Sequence, residues 1–272
     1  MRSRRTTAAL ILMFRLLAIS FFLLSLLPGT AASDTPATPA NQLVVAGNAC
    51  GPAALLNAFR FGNQDWQRSS NAIAGDTDKQ RIYTIIREFG MRPSNQIKGH
   101  PRWSKKGVNL TDLCDIANEM SAGKFLPSIS REVLFLKPGE TQEKLLVRVR
   151  RCFETSLAKG LPPVISLRRY TKRSQNGKPP EWIVLDAHFV TLTAILGKLE
   201  KNSQSFPVSY IDPWGGKFYQ GKISIPSHGI LADAASNSPC LEAVFPQSSV
   251  GRKLLRPEEP EALTIAAVLG RW

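Results

Sequence analysis

The chain changes texture at Gly160, and that change constrains its fold more than any other feature. Before it, apolar residues recur at helical spacing. Gly51 to Phe61 reads as a helix, with Pro52 in the first turn and Ala53, Leu55, Leu56 and Phe59 on one face. Asp76 to Phe89 reads as a second, capped by Asp76, striped by Ile82, Ile85, Ile86 and Phe89, and stopped by Gly90. A third runs from Thr111 to Met120. A fourth spans Thr141 to Lys159, with Leu145, Leu146, Val149, Cys152, Phe153 and Leu157 on one side. From Pro163 onward the apolar residues come in short runs rich in Val, Ile and aromatics. Pro163–Arg169, Trp182–Leu185, His188–Leu196, Pro207–Asp212 and Lys217–Ile225 read as strands, with Tyr170–Pro180 as a polar loop. Helices followed by a run of closely linked strands predict an α+β domain with an antiparallel sheet. The apolar end of the segment Arg256–Trp272 fits either a final helix or a strand that packs back.

The first 32 residues read as an address. Arg2, Arg4 and Arg5 form a positive start, and Leu16 to Leu27 is an almost unbroken apolar run, short for a membrane span. Pro28 and Gly29 break it, and Thr30-Ala31-Ala32 offers small residues for cleavage after Ala32. Arg15 interrupts a longer apolar stretch from Ala8, so an uncleaved anchor is the alternative. In both cases the rest of the chain is expected to leave the cytoplasm, as a secreted, periplasmic or envelope protein. Residues 33–41, polar and holding two prolines, read as a linker, and 42–272 as one domain with a sizeable core.

Four arginines of the address, with no acid beside them, supply part of the formal charge of +14. The remainder is still strongly basic, which makes an anionic envelope component a candidate partner. The basic residues are scattered, without the interleaved aromatics of a nucleic-acid surface, so no nucleic-acid partner is expected. His100, His188 and His228 lie far apart and none is spaced with a cysteine as metal ligands are, so neither a metal nor another cofactor is expected.

The four cysteines are Cys50, Cys114, Cys152 and Cys240. An even count in an oxidising compartment admits two disulfides, with Cys50 purely structural. Against this, Cys50 has a nucleophile's setting and the others do not, which gives a second scheme: one reactive thiol and three structural cysteines, two of them free to bridge. It opens a helix, in Asn48-Ala49-Cys50-Gly51-Pro52-Ala53, where unpaired N–H groups favour a negative charge. His188 opens a strand and Asp212 closes the next one, in Ile211-Asp212-Pro213-Trp214. Cys, His and Asp in that order, each at the end of an element, are the parts of a thiol nucleophile. The thiolate attacks, the imidazole holds and moves the proton, and the carboxylate orients the imidazole. Gln42 and Asn48 are the candidate side-chain donors to an oxyanion. His100, before Pro101, and His228, in a Pro-Ser-His-Gly turn, read as surface loop residues.

The blocks Asn48-Ala49-Cys50-Gly51-Pro52-Ala53-Ala54-Leu55, His188-Phe189-Val190 and Ile211-Asp212-Pro213-Trp214-Gly215-Gly216 resemble those of the bacteriocin-leader-processing peptidase-like family, in the papain-like clan of cysteine peptidases. The resemblance spans about Gln42 to Ile225. It implies a papain-like fold, Cys50 as nucleophile, His188 as base and acid, Asp212 as orienting residue, and a peptide or protein substrate. The chain departs from that pattern in three ways. The family's glutamine, about six residues before the cysteine, falls on Val44, so Gln42 needs a two-residue extension or Asn48 takes its place. Ala187 stands where Gly commonly precedes the histidine. The transporter and ATPase domains that accompany leader-processing members have no counterpart, and the leader substrate does not carry over. An acyltransferase or amidase on the same fold, and a catalytically silent envelope-binding domain, are the competing readings.

Overall fold

The computed structural model describes residues 37–174, 179–198, 200, 202–226 and 239–272. The domain is α+β with an antiparallel sheet, as the change of texture predicts. Its helical part comprises α1 (Cys50–Arg60), α2 (Gln64–Asn71), α3 (Asp78–Ile85), α4 (Leu110–Ser121) and α5 (Gln142–Ala158). A two-stranded hairpin, β1 (Trp103–Ser104) and β2 (Gly107–Val108), is inserted ahead of α4. The sheet is built from β3 (Ser130–Val133), β4 (Val164–Arg173), β5 (Glu181–Ile195), β6 (Ser205–Asp212), β7 (Lys217–Ser224), β8 (Glu242–Val244) and β9 (Glu261–Gly270). Its order is β3-β9-β4-β5-β6-β7-β8, and β8 returns to pair with β9 at Glu242 and Thr264. The six strands from β9 round to β8 therefore close into a barrel, with β3 added alongside β9.

Several differences from the sequence expectations have local causes. The second expected helix begins two residues later than Asp76. Thr77 and Gln80 form a reciprocal capping box there, and a capping box outcompetes a lone aspartate. Its second half, Ile86–Gly90, is a π turn rather than continued α-helix. Helix α2 escapes the apolar-stripe test because it buries little besides Trp66; Asn63 caps it through Asp65 N and Trp66 N. The Tyr170–Pro180 segment is not all loop. Strand β4 runs on to Arg173, paired with β5 as far as Glu181, and β5 is continuous where two strands were expected. The segment Arg256–Trp272 supplies β9. His228 and residues 1–36 lie outside the described residues. The end of the segment read as a linker packs on the domain: Ala40 is fully buried, and its N–H donates to Asn57 Oδ1 at 2.7 Å.

Two clusters of buried apolar side chains make up the core. One joins α1 to α3 and α4, around Leu55, Leu56, Phe59, Trp66, Ile82, Leu113 and Ile116. The other sits under α5 and within the barrel, around Leu146, Phe153, Leu167, Val190, Phe206 and Ile265. Helix α1 is the element common to both halves. It is buried along almost its whole length, and Thr191 Oγ1 on β5 donates to its Ala54 carbonyl at 2.8 Å. That bond fixes the lengthwise register of α1 against β5. Cys50 lies one helical turn before Ala54, and His188 lies three residues before Thr191. The helix therefore delivers its first residue to the middle stretch of β5, which carries His188. Among the described residues, no helix is long and apolar enough to cross a membrane.

Candidate active site

The structure brings Cys50, His188 and Asp212 together. His188 Nε2 lies 2.8 Å from Asp212 Oδ1, and both residues are buried. The same Oδ1 accepts the Trp214 N–H at 2.8 Å, which fixes the carboxylate on the turn that follows β6. With Nε2 donating to Asp212, Nδ1 is the ring nitrogen left for the thiol, and Cys50 is in hydrogen-bond contact with the ring. Burial by itself would strip the ring of its proton. The carboxylate on one side and the sulfur on the other outweigh it and push His188 up to about 10. At neutral pH the ring is therefore an imidazolium held between two anion-forming groups.

All four thiols are free, so neither disulfide scheme holds. Burial does not single out Cys50, since all four are buried. Surroundings do. Burial pushes the Cys114 thiol up, the Cys152 thiol up to about 12 with Glu132 adding to the effect, and the Cys240 thiol up to about 11. Those three remain protonated and inert at neutral pH. Cys50 alone faces an imidazolium and lines a cavity.

Two adjoining cavities meet at this site. One, of about 680 Å³, is lined by Gln42, Asn48, His188 and Trp214 among others. The second, of about 350 Å³, is lined by Cys50, Val108, Phe189 and Ala267 among others. Asn48 and Ala187 line both. Trp214 is half exposed and stands at the rim, beside the turn that carries Asp212.

The two oxyanion candidates differ in how they are held. Gln42 is buried, and its Oε1 has no hydrogen-bond partner among the described residues. Its backbone N–H donates to Pro213 O at 2.8 Å, so the residue is tied directly to the Asp212–Trp214 turn. Val44, which occupies the family's glutamine position, is exposed. Asn48 is gripped by the β1–β2 hairpin: its N–H donates to Lys105 O at 3.1 Å, and Trp103 Nε1 donates to its carbonyl at 3.0 Å. The residue borders both cavities. His100 lies on an exposed loop and lines neither cavity.

Sequence reasoning missed the hairpin and its Trp103, which anchor the loop ahead of Cys50. A two-residue strand on either side of a turn has no periodicity to detect. The Ser104-Lys105-Lys106-Gly107 stretch was the available turn signal. Also missed was Asp186, whose Oδ1 accepts Ala187 N at 2.8 Å and whose Oδ2 accepts Gly251 N at 3.1 Å, fastening a distant loop to the cavity wall. Compared with known proteins, the chain matches no family model, no curated protein and no solved structure.

Proposed function

We propose that this chain is a cysteine hydrolase of papain-like architecture that cleaves a peptide or amide bond through a thioester at Cys50. The observation that carries the reading is the placement of one buried imidazole, with Nε2 on Asp212 and its other side against Cys50, at the junction of two cavities. A structural histidine needs one partner. Two anion-forming partners on opposite ring nitrogens are what proton transfer through the ring requires.

The steps follow from the positions. The Cys50 thiolate attacks the carbonyl carbon and the C–S bond forms. The carbonyl oxygen becomes an oxyanion, which the Gln42 or Asn48 side-chain amide and a first-turn N–H of α1 stabilise. His188 gives its proton to the leaving nitrogen and the C–N bond breaks. Water then gives a proton to His188 and its oxygen attacks the thioester. The acid leaves, and the thiolate–imidazolium pair is restored. Asp212 holds the ring in orientation throughout.

The domain acts outside the cytoplasm in this reading, delivered by residues 1–32. Three buried thiols whose proton affinity is raised withstand an oxidising compartment better than exposed thiolates would. The test is a brief iodoacetamide pulse at pH 6 on the unreduced protein, followed by mass-spectrometric mapping. Alkylation at Cys50 alone, lost in His188→Ala, supports the reading. A disulfide at Cys50, or reaction there no faster than at Cys114, Cys152 and Cys240, leaves a binding domain in its place. N-terminal sequencing of exported protein is expected to begin at Ser33.

A further inference from the structure

The charged side chains on the walls of the candidate cleft are cationic apart from Asp186. On the helical side, Lys105 and Lys106 are the exposed tip of the β1–β2 hairpin, bordering one cavity each. On the barrel side stand Arg168, on β4, and Arg252 and Lys253, on the 3-10 turn Arg252–Leu254. None of these five cations is paired with a carboxylate among the described residues; Arg252 spends one N–H on Pro246 O. Asp186 lines the larger cavity, and both of its oxygens already accept backbone N–H groups.

The barrel-side turn is fastened to the sheet. Gly251 donates to Asp186, Arg169 Nε donates to the Val250 carbonyl, and Arg173 Nη2 donates to Leu254 O at 2.7 Å. Gly251 has φ +64°, and a Cβ there would crowd Asp186 and Arg169. Arg252 and Lys253 are therefore presented from a backbone fixed against β4 and β5, facing a hairpin that is itself tied to the loop before Cys50. Unpaired cations on both walls of a partly enclosed groove focus their field into it and raise the arrival rate of oppositely charged ligands by about 10–1000-fold.

We propose that the substrate segment bound across Cys50 is an acidic peptide, its carboxylates held between Lys105 and Lys106 on one wall and Arg168, Arg252 and Lys253 on the other. The inference rests on the thiol-hydrolase reading and adds the substrate's charge to it.

Two vinyl sulfone labels differing only in charge, acetyl-Glu-Glu-Gly and acetyl-Gln-Gln-Gly, test it by their rates of addition to Cys50. The glutamate label is expected to react about tenfold faster at low ionic strength. Its advantage should vanish at high salt, a result read on the unaltered chain. It should also shrink in a Lys105→Ala, Arg252→Ala, Lys253→Ala triple variant. Equal rates for the two labels, or a preference that survives both salt and the triple variant, overturns the proposal. Iodoacetamide, small and uncharged, is run beside them. Normal iodoacetamide reaction with equal label rates removes the acidic substrate and leaves the hydrolase. A Cys50 inert to all three reagents removes both.

Discussion

Asp212 holds His188 by Nε2, at 2.8 Å, and so turns the other ring nitrogen toward Cys50. The carboxylate does more than orient the ring, because it shares in keeping the ring charged against the cost of burial. Replacing Asp212 by Asn separates the two roles. The amide oxygen can still accept from His188 and from Trp214 N, and only the charge is lost. We expect Asp212→Asn to lower turnover by roughly 10–100-fold, and His188→Ala to remove about 100–10,000-fold, the usual range for a proton-transfer group. Comparable losses in the two variants, measured as kcat/KM on any peptide found to be cleaved, would mean that charge and not geometry governs the ring.

The raised proton affinity of His188 also sets the alkaline limits. A buried imidazole held to about 10, against an ordinary value of 6.5, binds a proton in the folded state that the unfolded chain releases earlier. Its contribution to stability is complete below about pH 6.5, declines as pH rises and is gone once pH passes about 10. Thermal unfolding is expected to show Tm falling across that window. Cys50→Ala removes one of the two groups that sustain the charge, so it should flatten the slope. The descending limb of activity should lie near pH 10 in the unaltered chain and at lower pH in Asp212→Asn. A Tm independent of pH in this window would argue against the charged pair.

Gly51 is set by space. A Cβ there would lie 2.5 Å from Val108 Cγ1 and 3.1 Å from Leu113 Cδ1, so the residue after the nucleophile has no room for a side chain under the β1–β2 hairpin. Gly51→Ala should cost about 1–3 kcal/mol by overpacking and slow Cys50 alkylation by displacing the hairpin that holds Asn48. Adding Val108→Ala should recover much of both losses. A double-variant cycle in denaturant unfolding reads the coupling directly, and strict additivity would disprove the contact.

Arg169 is buried in the barrel wall, donating to the Val250 carbonyl and pairing with Glu261. Arg169→Met keeps the stem and removes the donor. It should cost about 1.5–3 kcal/mol for a charged hydrogen bond lost, or a Tm lower by roughly 3–12 °C for a domain of this size. Hydrogen exchange at residues 250–254 should rise more than in β6 or β7. Uniform acceleration through the barrel would show that Arg169 supports the sheet and not the turn.

The architecture was legible where burial writes a period into the sequence. Helix α1 with Pro52 in its first turn, α5 with its stripe from Leu145 to Phe153, and the Val- and Ile-rich runs of β4 to β7 could all be read. So could the elements carrying Cys50 and Asp212, each at the end of such a run; His188, expected to open a strand, lies in the middle of β5, which runs on from Glu181. Barrel closure could not, because it rests on one pairing between short β8 and β9, on either side of a long connection. How Gln42 is held was also hidden. It depends on a bond from Gln42 N to Pro213 O between segments far apart in the chain, and nothing local to either one signals it. The cationic walls were visible only as scattered charge until the hairpin and the barrel-side turn were seen to flank one groove.

The order of strands in the barrel also has a temporal meaning. Cys50 comes from the first helix of the domain, His188 and Asp212 come much later, and β9, the last strand in sequence, pairs with β3, β4 and β8. A chain that emerges amino end first carries its thiol for most of synthesis or export without the imidazole beside it. Strand β9 comes last, slots between strands made earlier and closes the barrel. Under the proposed hydrolase reading, the thiol therefore gains its partner only after the sheet-forming half has been made.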